Sequence, residues 1–142
     1  MYKKTVRGMS LLFAVLMLMS TSTFAMDMRA STRIDSSSAI VKAGTDGNLW
    51  IYFSVDAVSV MDDLGASKIA IQRYSGSRWI TESTLTPEDV PEMQTTDDIW
   101  HSATIPYSPK YSGYSYRAVV DIYATNSTGT STKTLTSHSV TM

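Results

Sequence analysis

The sequence predicts an all-β fold: a single β-sandwich of about seven strands behind an N-terminal signal peptide. Three observations carry this reading. Several segments alternate apolar and polar residues, and no helical period of ten or more residues follows the leader. Turn signals containing Gly, Asn or Pro separate these segments at short intervals. The chain is loaded with Ser and Thr, carries Tyr and Trp, and has no cysteine, so its core is held by packing and not by disulfides.

The leader occupies residues 1–25. Lys3, Lys4 and Arg7 form a positive start, Leu11 to Met19 is unbroken and apolar, and Ser20 to Ala25 is mostly small. Thr23 and Ala25 suit a signal-peptidase site, so cleavage after Ala25 and a secreted, extracellular product are expected. The apolar run is less than half of the ~20 residues that a membrane-spanning helix requires. No second run of that length follows, so no stable membrane span is expected after cleavage. The MYKK opening and the absence of cysteine resemble secreted proteins of Gram-positive bacteria.

The chain has 142 residues and a formal charge of -1. Loss of Lys3, Lys4 and Arg7 with the leader makes the mature chain more acidic. That balance excludes a polybasic protein that binds nucleic acid by neutralising phosphates. Residues 26–38 have no apolar period and read as a flexible N-terminal segment. The domain then spans 39–142.

Ala39 to Val41 reads as a short edge strand, and Gly44 to Asn48 as a turn. Leu49 to Ala57 is the clearest strand: Leu49, Ile51, Phe53, Val55 and Ala57 point inward, with Trp50 and Tyr52 on the outer face. Val58 to Ser67 reads as a connection to a second strand around Ile69 and Ile71. Ser75-Gly76-Ser77 makes a hairpin to Arg78–Ser83. Thr84 to Asp98, with two prolines and five acidic residues, reads as a long excursion. Ile99 to Ile105 is a strand with His101 on its core-facing side, ended by Pro106 and Pro109. Tyr114 to Thr125 is a strong strand whose inner face is Tyr116, Ala118, Val120, Ile122 and Ala124. After the Asn126–Gly129 turn, Leu135 and Val140 fall on opposite parities, so the last strand needs a bulge or is a weak edge.

Tyr116-Arg-Ala118, continuing to Asn126-Ser-Thr-Gly129, resembles the penultimate strand and turn of immunoglobulin-like and fibronectin type III domains. Ile69-Ala-Ile71-Gln-Arg73 followed by Trp79 is similar to the mid-domain hairpin of fibronectin type III modules. The resemblance implies an immunoglobulin-like sandwich in which Tyr116 forms a tyrosine corner. Its hydroxyl would bond a backbone group within Ser108 to Gly113. The two cysteines and the buried third-strand Trp of immunoglobulin domains are absent.

The chemistry-bearing residues are few. His101 and His138 are the two histidines, and no G-x-S-x-G elbow or phosphate-binding glycine motif occurs. No catalytic residues are assigned and the protein is read as not an enzyme. Asp62-Asp63 and the acids Glu88, Asp89, Glu92, Asp97 and Asp98 lack calcium-loop spacing, so they read as a solvated acidic surface. No metal site and no cofactor is expected. The candidate binding residues are the aromatics Trp100, Tyr107, Tyr111 and Tyr114, because exposed aromatic rings stack on sugars and anchor protein interfaces. The expected function is a non-catalytic binding module for a protein or glycan at the cell envelope. Two alternatives stand beside it. One is an assembly subunit pairing through sheet edges, suggested by a Thr-rich last strand whose single charge is Lys133. The other is a small secreted hydrolase with an atypical site.

Overall fold

The computed structural model describes residues 33–142. The expected leader and the first part of the lead-in, 26–32, lie outside the described residues. Seven strands follow in order: β1 (Ile34–Ala43), β2 (Leu49–Tyr74), β3 (Trp79–Leu85), β4 (Gln94–Tyr107), β5 (Ser115–Asn126), β6 (Gly129–Thr136) and β7 (Val140–Thr141). They are joined in one sheet with antiparallel pairing throughout. The sheet curls, so that β1 approaches β5, β6 and β7. A 3-10 turn, Pro91–Met93, precedes β4.

β2 is the spine of this sheet. Its first part, Leu49–Ala57, lies between β1 and β4. Its middle, around Asp63–Gly65, lies between β4 and β5, and its last part, Ile69–Arg73, between β5 and β3. Residues 58–67 are therefore strand, which corrects the expected connection. The alternation that marks Leu49–Ala57 stops there because pairing with β4 breaks between Asp56 and Met61, leaving Val58 and Val60 exposed. Gly65 makes the passage from β4 to β5 possible. Its φ of +150 suits glycine, and a Cβ there would lie 2.7 Å from Gln94 Cα and would collide with the Met93 carbonyl oxygen.

Two further boundaries differ from expectation. β1 begins at Ile34, so Ile34 to Ser38 pair with β2 and are not lead-in. Gln94 to Asp98, read as excursion, form the start of β4 opposite Met61–Gly65. Polar side chains hid this segment, since it lies on a largely exposed strand. At the pairing break, Asp97 takes a left-handed φ of 54. Asp98 Oδ1 accepts hydrogen bonds from the N–H groups of Ile99 (2.8 Å) and Trp100 (3.3 Å), which helps to satisfy the backbone around the break. β4 also runs through Pro106, which pairs with Trp50, and ends at Tyr107.

The core is built as the alternation requires. Leu49, Ile51, Phe53 and Val55 of β2 are fully buried, as are Tyr116, Ala118, Val120, Ile122 and Ala124 of β5. Met61, Leu64 and Met93 join them beneath the bend. Each such large side chain contributes about 1.5–3 kcal/mol of burial free energy. The parity conflict in the last strand is resolved by dividing it. β6 ends at Thr136 and β7 begins at Val140, and between them buried Ser137 accepts from Ala118 N (2.9 Å) and donates to His138 O (2.7 Å).

Candidate functional site

The predicted aromatic residues fall into two places. Tyr107, Tyr111 and Tyr114 gather at one end of the sheet around two charged residues, Arg73 of β2 and Glu82 of β3. The Glu82 side chain is only 5% exposed. Its Oε2 accepts from the Tyr107 hydroxyl (2.7 Å) and from Lys110 N (3.3 Å), and its Oε1 lies 2.9 Å from the Tyr116 hydroxyl. Arg73 Nε is 3.6 Å from Oε1, and the guanidinium lies over the rings of Tyr111 (4.6 Å) and Tyr114 (4.8 Å). Burial pushes the Glu82 carboxyl up, but the Tyr107 and Tyr116 hydroxyls, the Lys110 N–H and the Arg73 charge outweigh it, so the group titrates below its ordinary range. The same burial, with the Glu82 hydrogen bond and charge, raises the Tyr107 phenol and pushes Tyr116 up to about 12.

Tyr116 is completely buried, and its hydroxyl also lies 3.2 Å from the Tyr111 carbonyl oxygen, five residues upstream. One proton thus faces two acceptors, a backbone carbonyl within the expected stretch and a carboxylate that the sequence did not mark. Glu82 accepts from both Tyr107 and Tyr116, while the buried Arg73 Nε finds no hydrogen-bond partner and meets Glu82 only as an ion pair; this cluster fastens the β4–β5 connection to the sheet.

Trp100 lies elsewhere, 49% exposed on the outer face of β4. Register decides its neighbours. Across β1, β2 and β4, successive outward rows are Lys42–Trp50–Pro106, Ile40–Tyr52–Thr104, Ser38–Ser54–Ser102 and Ser36–Asp56–Trp100. Ile40, Lys42, Trp50, Tyr52 and Thr104 line a groove of about 340 Å³. A Cβ on Gly44 would sit 2.6 Å from the indole Nε1 of Trp50. The turn therefore holds the ring closely against a bare backbone. Beyond the aromatic rows, Ser38 Oγ and Ser54 Oγ are 2.8 Å apart, and Ser36 Oγ donates to Asp56 Oδ2 at 2.6 Å.

The outer face on the other side of the curl is occupied by its own polar groups. Lys68 and Thr134 both bond Asp121, at 3.1 and 2.7 Å, and hold its carboxyl below the usual range. Arg117 bonds Gln72 at 2.8 Å and covers the Trp79 ring at 4.3 Å. A wider cleft of about 560 Å³ lies between Ser67, Pro87, Gln94 and Tyr123, but its one aromatic hydroxyl is already engaged with Gln94 at 3.1 Å. The aromatic face of β1, β2 and β4 is thus the best-formed candidate.

His101 packs against Phe53 with ring centroids 5.9 Å apart, and its Nε2 lies 2.7 Å from the Glu92 carbonyl oxygen. A carbonyl only accepts, so Nε2 carries the proton and the ring ties β4 to the 3-10 turn. Among the described residues, no three His, Asp or Glu side chains are grouped to hold a metal ion, and no helix is long and apolar enough to cross a membrane. Compared with known proteins, the chain matches no family model, no curated protein and no solved structure.

Proposed function

We propose that the protein is an exported, non-catalytic binding module and that it engages its partner at the cell envelope through the outer face of β1, β2 and β4. One observation carries this reading. Trp50, Tyr52 and Trp100 share that face with a row of hydroxyls and a groove of about 340 Å³, whereas the outer face across the curl is taken up by the Lys68–Asp121 ion pair and by Arg117, held between Gln72 and Trp79. Export is supported by the order of charged, apolar and small residues in 1–25. Mass spectrometry of the exported product should give an N-terminus at Met26; an intact leader refutes export by this route. The immunoglobulin-like reading of the fold is supported by Tyr116, whose buried hydroxyl reaches Tyr111 O. The single curled sheet and the uninterrupted β2 are features that the resemblance did not imply.

The binding reading is tested by capture. The exported protein, immobilised, should retain a component of the native secretome or cell wall, and Trp50→Ala and Trp100→Ala should lose it. Capture unchanged by both substitutions would place binding on another surface. The assembly alternative keeps one specific support: β6 lies at the sheet edge, with Lys133 its single charged residue. Light scattering that gives a strict monomer removes it.

A further inference from the structure

From the binding reading above, we infer that the ligand of the β1–β2–β4 face is an extended, uncharged polysaccharide of equatorially linked sugar rings. The argument starts from length. Trp50 and Asp56 are six residues apart on one strand, so the rows they occupy are about 20 Å apart at roughly 3.3 Å per residue. Trp100 stands beside Asp56 in the last row. The face therefore carries aromatic rings at both ends and hydroxyls between, along one strand direction. A flat polysaccharide presents that same alternation, with apolar ring faces and equatorial hydroxyls repeated along a straight chain.

Chemistry and charge narrow the choice. Aromatic rings cover the apolar face of a sugar while their polar edges stay wet. Serine hydroxyls both donate and accept, which matches sugar hydroxyls in either sense. Of the twelve side chains in the four rows, only Lys42 and Asp56 are charged, they are of opposite sign, and Asp56 is bonded to Ser36. A polyanion would find one exposed cation and a carboxylate, and a polycation would find the reverse. An uncharged chain needs no run of charges of one sign, and the rows offer none. The Trp50 seat over Gly44 adds preorganisation, since a ring already fixed loses little freedom when a sugar stacks on it.

The test uses the exported protein with cellulose and chitin as insoluble probes, cellohexaose and chitohexaose in titration calorimetry, and amylose as a coiled comparison. Retention on cellulose or chitin is expected, with no retention on amylose. Trp50→Ala should weaken hexasaccharide binding at least tenfold, and Trp100→Ala, at an exposed position where folding is safe, at least threefold. Circular dichroism and the unfolding midpoint confirm that each variant is folded. Absence of binding to both flat polysaccharides, or equal binding to amylose, overturns the inference. If the flat polysaccharides fail while Trp50→Ala still abolishes capture of a secretome protein, the face binds protein: the sugar inference falls and the binding module stands. If neither probe is retained and nothing is captured, both fall.

Discussion

Replacing Tyr116 by Phe tests the corner directly, because it removes one oxygen and leaves the buried ring in place. In the native protein that hydroxyl lies 2.9 Å from Glu82 Oε1 and 3.2 Å from Tyr111 O. A net hydrogen bond to a charged acceptor is worth about 1.5–3 kcal/mol. The lower part of that range applies, since Glu82 keeps the Tyr107 hydroxyl and Lys110 N on its other oxygen and is not orphaned. A loss of about 2 kcal/mol follows. The unfolding entropy is about 2.1 cal/mol/K per residue near the midpoint, or roughly 0.23 kcal/mol/K for the described chain, so Tm should fall by about 9 °C. Tyr114 supplies the comparison. Its ring is 42% exposed, and Tyr114→Phe should cost no more than about 0.5 kcal/mol, or about 2 °C. Thermal unfolding followed by near-UV circular dichroism reads both. Equal shifts in the two variants, or a shift of under about 2 °C for Tyr116→Phe, would refute the assignment of the buried hydroxyl.

Glu82 titrates below its ordinary value when folded, so it contributes stability above the unfolded pKa and loses it as pH falls through the folded one; midpoints measured downward from about pH 5 should decline less steeply in Glu82→Gln, with Asp121 retaining part of the slope. Gly65→Ala drives a Cβ toward the Met93 carbonyl at a φ that disfavours side chains, and denaturant unfolding should show a loss of at least about 2 kcal/mol, or no folded protein; an unchanged midpoint would mean that the bend is not tight. Ser137→Ala strips the acceptor from buried Ala118 N, and the same assay should register about 1.5 kcal/mol; no change would mean that another group satisfies this amide.

Strands with one face in the core were legible because burial imposes a period of two. Leu49–Ala57 and Tyr116–Ala124 are such segments, and their inner faces are buried as expected. Val58–Ser67 was not legible, because the pairing break exposes Val58 and Val60 and the bend buries Leu64, Gly65 and Ala66 in succession. Gln94–Asp98 failed for the opposite reason, since it buries too little to leave a pattern. The burial of Tyr116 was legible from its place at the start of a buried alternation, but its carboxylate partner was not. Glu82 sits among Thr, Ser and Thr, and nothing local marks it as the carboxylate that two tyrosine hydroxyls and an arginine meet. The aromatic face shows the same limit. Trp50 and Tyr52 were placed outward, yet their kinship with Trp100 depends on Asp56 meeting Trp100 across the ladder, which no single strand encodes.

The uninterrupted β2 bears on how the chain acquires its structure as it emerges, whether from a ribosome or from a membrane channel. Every other strand except β6 and β7 pairs directly with β2, and β7 and β6 attach through β5. The first hairpin, β1 with the start of β2, is local, but the inner face of that hairpin finds its cover only from segments synthesised much later. Half of this domain has nothing to close upon, so an early fragment has no stable resting state of its own. Commitment to the native state waits until β5 has emerged, near the end of synthesis. On the proposed export route, such lateness would leave the polypeptide unfolded while it threads through the channel.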